Sequence, residues 1–367
     1  GRIILGGTPR EMLERMAALG GALLHEPGFY VPFDPEVMKY VADQMVTEAG
    51  VRLRLHSFAC GVIMAGARIA GVVVESKSGR QAIAAKVIVD CTGDGDVAAK
   101  AGAPFQWGRP DDGAFQPMTL VYRLGNVDLS KMKDVHSRGE GYVATNVRAA
   151  MARAAEAGQI PVFGGPWIMK GSTVRDNEAF VNMVRLWGNA TDVETLTQNE
   201  ITGREHIQQF VRFLRENIDG CQNAFLMDSG PQIGVRETRH VAGDYELSED
   251  DIVQAREFED SVAMGGHIID IHSPNGTIGQ RREVVPAYQI PYRCLLARGV
   301  ENLLVAGRPI SASHVAHSSL RVMGTCMGIG QGAGVAAALA ARGDGNARHV
   351  DVKALRQTLE AMGAVTC

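Results

Sequence analysis

Cysteine is sparse and unpatterned in this chain of 367 residues. Cys60, Cys91, Cys221, Cys294, Cys326 and Cys367 form no CxxC pair and no Cys/His ligand spacing, which argues against a disulfide framework and a structural zinc site. No metal ligand set is expected, and a reducing, cytoplasmic setting is. Long runs of one charge are missing too: 37 Lys+Arg stand against 41 Asp+Glu, for a formal net charge of −4, so the basic stripe of a nucleic-acid binder is absent. No apolar run is expected to span a bilayer, and no charged segment followed by an apolar one opens the chain as in a secretory leader. The expected partner is a small-molecule substrate; homo-oligomerisation stays open. An initial methionine is also lacking. GRIILGGTPREMLERMAAL goes straight into a turn and an amphipathic helix, the look of an internal fragment whose upstream sequence is expected to belong to the working protein.

What is present is glycine, 43 residues of it, in a chain that is 46% hydrophobic and 21% charged. That is the composition of an α/β protein with glycine-rich loops, and the length predicts two domains or one domain with a large insertion. Thr8-Pro9 reads as a helix start with Met12, Leu13, Met16 and Leu19 on one face, and Asp34-Pro35 starts a second helix that ends at Gly50. VRLRLHS (51–57) alternates as a strand, and glycine-separated β-segments follow. Val87, Ile88 and Val89 then form a continuous apolar run of the kind buried on both faces of a parallel sheet. Residues 105–284 have another texture, richer in proline, glycine and aromatics, with an Ile207, Phe210, Val211, Leu214 stripe. Buried-core texture returns at 285, with NLLVAG (302–307) as a strand and 324–341 as a small-residue helix. The expected division is 1–104 with 285–345 as one discontinuous domain, 105–284 as an inserted α+β domain, and 346–367 as a C-terminal helix and tail.

Three stretches carry chemistry. Thr92-Gly93-Asp94-Gly95-Asp96 follows the buried strand, at the sheet edge where open α/β folds place ligands; the plainer reading is a strand-to-helix turn with Asp96 as cap. Gly307 to Ser319 crowds Arg308, Ser311, Ser313, His314, His317, Ser318 and Ser319 together and is expected to be a site-lining loop, with histidine as acid or base. The helix behind it offers its N-terminus to partial negative charge. GVRETRH (234–240) holds Arg236, Glu237, Arg239 and His240; one arginine would clamp a carboxylate, or the charges pair with each other on the surface. Arg281-Arg282 reads as surface.

KVIVDCTGDGDVAAKAGAPF, PQIGVRETRHVAGDYELSEDDI, the long stretch from IPYRCLLARG to MGIGQGAG and, upstream, GGTPREMLERM closely resemble the FAD-dependent oxidoreductase family of the glutathione-reductase-like type. The resemblance implies FAD lying along a three-layer α/β domain of Rossmann-like kind, covered by a discontinuous second domain. It places Thr92, Gly93 and Asp94 near the nucleotide half of the cofactor. Gly307, Arg308, Val322, Met323 and Gly324 then belong near the ribityl chain and flavin ring, with His314 and His317 on the substrate side. Two departures stand out. The strand, GxGxxG turn and helix that hold the pyrophosphate in the family are not in the sequence, and Arg308 follows Gly307 where many relatives carry an aspartate that meets the ribityl hydroxyls.

The function expected from this is hydride removal from a small polar hydroxy acid, sugar-like compound or amine to flavin N5. His314 or His317 would take the hydroxyl or amine proton, and Arg321, Arg236 or Arg239 would hold an anionic group. The electron acceptor is open among oxygen, a quinone and a protein. The rival expectations are a truncated or non-catalytic remnant that binds no FAD, and a flavoprotein that uses FAD without redox chemistry.

Overall fold

The structure is a computed structural model and describes residues 3–24, 31–131, 134–135, 143–169, 173–273 and 280–367. It opens with two packed helices, α1 (Gly7–Ala18) and α2 (Pro35–Glu48). The second starts as expected: Asp34 accepts the Glu36 amide at 2.9 Å with Pro35 at the first helical position. The first starts at Gly7 rather than Thr8, and Gly6 caps it without a side chain. Residues 51–57 are exposed at every position and form no strand, a correction to the alternation reading. Alternation makes a strand only where one face has a surface to bury against, and here neither has.

A meander of Phe58–Ala65, Arg68–Ser76 and Gly79–Ala84 follows, paired antiparallel in that order. The apolar run then behaves as its composition demands. Ile88–Asp90 pairs in parallel with Leu303–Val305, Leu303 opposite Ile88, and all three residues of the later strand are buried. Among the named strands of the described residues this is the one parallel ladder, beside an isolated parallel bridge between Leu247 and Ala312, and the protein is a mixed α/β fold. Helix α3 (Asp96–Lys100) leaves the first of them from Gly95, which sits at φ 67°. Asp96 is therefore the first helical residue and not the cap.

A self-contained core follows in sequence. Phe225–Ser229, Tyr122–Gly125, Glu178–Val184 and Phe163–Met169 form one antiparallel sheet in that order, covered by α4 (Thr145–Glu156) and α5 (Val193–Asn217). The α5 stripe buries Ile207, Phe210, Val211 and Leu214 into it, as its spacing predicts. A second core runs from Leu247 to Leu359 and takes in the short α6 (Glu249–Val253).

Helix α7 (His314–Leu320) replaces the expected loop. The Ser313 hydroxyl accepts the Ala316 amide at 3.2 Å, and the two serines at the end of the helix are buried with partners: Ser318 donates to the Val315 carbonyl at 2.7 Å and Ser319 shares a hydrogen bond with the Tyr288 hydroxyl at 2.8 Å. α8 (Met323–Arg342) agrees with the expected small-residue helix to within a residue at each end, and α9 (Val352–Ala361) closes the chain. By length and composition alone α8 is long and apolar enough to cross a membrane, against the expectation of no such run. In the structure it lies on Ser261–Gly265 and against α1 and α9, and Gly332 has Val262 so close that a Cβ would come within 3.0 Å of it.

Candidate active site

Three segments distant in sequence converge where the two parallel strands end. Asp90, at the end of the first, accepts the amide and hydroxyl of Thr92 and, through its other oxygen, the Ala98 amide at 2.9 Å. The Thr92 side chain is thus committed to holding the turn. Gly93, at φ +86°, passes so near Arg308 that a Cβ would lie 2.6 Å from its Nη2. Asp94 faces inward, accepting from Thr238 Oγ1 at 2.6 Å and pairing with Arg308 Nη2 at 3.2 Å. TGDGD, GVRETRH and Gly307-Arg308 are therefore one locus. Arg239 clamps it: its guanidinium bonds the Asp94 carbonyl and the Asp96 carboxylate at 2.9 and 2.8 Å and lies over the rings of Phe105 and Trp107.

At the centre stands Glu237, 2% exposed. One of its oxygens meets His240 Nε2 at 3.0 Å and His314 Nδ1 at 2.7 Å; the other accepts the Gln116 amide at 2.9 Å. Burial pushes the carboxyl up, but the hydrogen bonds from His240 and His314 outweigh it and hold the group well below the carboxylate range. His240 Nδ1 lies 2.7 Å from the Ala312 carbonyl, so both of its ring nitrogens face oxygens. His314 spends Nδ1 on Glu237, and Nε2 has no hydrogen bond among the described residues. His317 packs its ring 4.5 Å from that of His240. Its buried Nδ1 has no partner, and burial first, with His240 second, pushes its pKa well below the ordinary histidine value. The donor atoms of Glu237, His240 and His317 lie within 4.8 Å of one another, a grouping that could hold a metal ion and that scattered sequence positions gave no sign of. Arg308 and Arg321 are near enough to disfavour positive charge on His317, and the same field opposes a cation there.

Arg321 caps the C-terminus of α7 and is largely covered, donating to the Gln116 side chain at 3.2 Å and the Asp270 carbonyl at 2.9 Å. Arg236 is buried and donates to the Pro117 carbonyl. Arg281 pairs at the surface with Glu249 and Glu283, whereas Arg282 turns inward over Trp167, its guanidinium carbon 4.8 Å from the ring. The surface reading holds for the first and fails for the second.

The residues fit the flavin end of the cofactor. Arg308 Nη1 is buried with no partner. Gly307 lies at φ +88° with open space where a Cβ would be. Helix α8 begins from Val322 with no side-chain cap, which leaves the first amides from Met323 and Gly324 onward free for an acceptor. Glu237, Asp270, Gln116 and Arg185 are functional candidates that received no role from sequence. Glu237 had a local signal, lying three residues before His240; Arg185 had none.

The model of the FAD dependent oxidoreductase family matches residues 2–359. No curated protein matches the chain. Among solved structures it is similar to a geranylgeranyl bacteriochlorophyll reductase-like protein from Thermoplasma acidophilum, at 13% identity and TM-score 0.40, over 90% of this chain and 59% of that one. It is also similar to p-nitrophenol 4-monooxygenase PnpA from Pseudomonas putida DLL-E4, at 13% identity and TM-score 0.33, over 59% of this chain and 45% of that one. A third is the myxobacterial chondrochloren halogenase CndH, at 15% identity and TM-score 0.43, over 96% and 67%. The chain thus spans less than two thirds of the first two, and likenesses this remote assign it no residue roles.

Proposed function

Because the chain belongs to the FAD-dependent oxidoreductase family, we propose that it oxidises a small polar substrate, a hydroxy acid, sugar-like compound or amine, using His314 as the base. FAD, when bound, supplies the two-electron acceptor for the hydride that leaves the substrate carbon. Gly307, Arg308 and the uncapped start of α8 hold its ribityl and flavin end; residues 1–104 with 285–345 form the body that carries it, joined by 247–269, which pack in the core running from Leu247 to Leu359, under a cap built on the core between Met118 and Ile233. Self-sufficiency of the core between Met118 and Ile233 supports that division.

The observation that carries the reading is the Glu237–His314 contact at 2.7 Å. A carboxylate accepting from Nδ1–H fixes the tautomer and leaves the Nε2 lone pair outward. His314 Nε2 then takes the proton from the substrate hydroxyl or amine as the carbon gives up its hydride, and the C–O or C–N bond becomes double. His317, neutral and packed with its ring tilted against that of His240, walls the site and excludes water. The test is anaerobic addition of hydroxy acids, polyols and amines to the protein carrying FAD, followed by visible absorbance. Bleaching by one class, slowed at least a hundredfold in His314→Asn on the scale of general base catalysis, is expected; bleaching at wild-type rate in that variant sinks the assignment.

A further inference from the structure

The site adjoining His314 is built around an excess of buried positive charge. Arg185 and Arg236 are buried, with 4% and 7% exposure, and the Arg321 side chain is 11% exposed. Arg282 lies alongside, its Nε 3.8 Å from Asp270, and is not part of the excess. Among the described residues Asp270 stands against the three, and Arg321 and His272 approach it at 3.5 and 3.2 Å. His272 stays neutral and adds no charge: burial first, then Arg236, brings it down to about 3. Burial lowers all three central guanidiniums, and the neighbouring guanidiniums add to that: Arg185 and Arg321 on Arg236, Arg321 on Arg185 (held to about 10) and Arg308 on Arg321. Like charges are thus packed together out of water, an arrangement that costs free energy unless something negative joins it.

Donor counting points the same way. Arg185 gives Nη1 to Asn182 and to the Val184 carbonyl, while Nη2 is buried with no partner; Arg321 Nε and Gln116 Nε2 are in the same state. Buried donors are almost always satisfied, so three orphans beside surplus positive charge mark the place of an oxyanion. The position also fits. The Gln116 side chain touches Arg321 while its amide touches Glu237, so the cluster lies one residue from the base.

We infer that Arg185, Arg236 and Arg321, with Gln116, form an oxyanion site that holds a carboxylate or phosphate group of the substrate beside His314. This rests on the oxidoreductase reading for its word substrate, though the site itself does not. Guanidinium forks suit both anions bidentately, and Asp270 keeps the forks aimed through its contacts to Arg321 and Arg282.

The experiment is calorimetric titration of the FAD-carrying protein at fixed ionic strength with succinate, inorganic phosphate and uncharged succinamide, repeated on Arg185→Met and Arg185→Lys. Saturable binding of succinate or phosphate is expected, with none of the diamide, and the stronger anion names the source. Affinity should fall roughly tenfold to a hundredfold in Arg185→Met, as for loss of hydrogen bonds to a charged group, and less in Arg185→Lys. Removing a like charge favours folding of the Met variant, and a circular dichroism melt verifies it. No binding of either anion, equal binding of the diamide, or unchanged affinity in Arg185→Met overturns the inference. Anion binding without bleaching of the flavin by any substrate keeps the site and sinks the redox reading; bleaching by an uncharged polyol with no anion binding does the reverse.

Discussion

Replacing Glu237 by Gln keeps the volume and removes the charge. The carboxylate accepts three hydrogen bonds with two oxygens, from His240, His314 and the Gln116 amide. A carboxamide has one acceptor oxygen, so one side of the contact loses its acceptor or must change tautomer. If the oxygen serves the imidazoles, the Gln116 N–H faces an amide N–H; if it serves Gln116, two imidazoles lose their acceptor. The charge-assisted bonds disappear as well, and with Glu237 2% exposed water does not substitute. Breaking a buried charge pair from one side costs about 3–5 kcal/mol, and one strained donor pair is within that range. Urea unfolding followed by circular dichroism should therefore show a loss of about 3–5 kcal/mol in Glu237→Gln. In whatever fraction stays folded, the pH profile of flavin bleaching should shift, because His314 loses the group that fixes its tautomer. A variant within about 1 kcal/mol of wild type and with the same pH profile would refute the account of Glu237.

Asp34→Ala should cost about 1 kcal/mol for the cap of α2, plus the contact to Arg175 at 2.8 Å. Burial pushes Asp34 up, but the Glu36 amide and Arg175 hold it below the ordinary value; with a lowered folded pKa, its contribution is present above the unfolded value of about 3.9 and lost on acidification through the folded one. The wild-type and variant melting temperatures should converge in acid. Leu214→Ala, in the core under α5, should lose about 2–5 kcal/mol in urea unfolding. Gly307→Ala meets no neighbour but places a side chain at φ +88°, so a loss of about 1–2 kcal/mol is expected, and flavin content on purification reports whether the turn still holds the cofactor.

The α5 stripe and the small-residue helix are legible because their pattern reflects what they bury; of the apolar run at 87–89, Ile88 is buried and the two valines are half-buried. Residues 51–57 and α7 were misjudged for opposite reasons. In the first, alternation existed without a surface to pack on; in the second, serine and histidine looked like loop chemistry because their partners, Tyr288 and Glu237 among them, are far away in sequence. GVRETRH was visible as a motif, yet its parts separate in space: Arg239 braces a turn, Arg236 goes to the cationic cluster and Glu237 organises the histidines. Arg185 could not be seen, since a lone arginine among apolar residues carries no pattern.

The parallel ladder between Ile88–Asp90 and Leu303–Val305 has a consequence for how the chain is made. On a ribosome the first of these strands emerges more than 200 residues before its partner, while every segment of the core between Met118 and Ile233 is already available. The intervening core can therefore fold first and shorten the loop that the ladder must close. Until synthesis reaches Leu303–Val305, Ile88–Asp90 lacks the ladder partner it has among the described residues, and its apolar side chains stay open to other contacts.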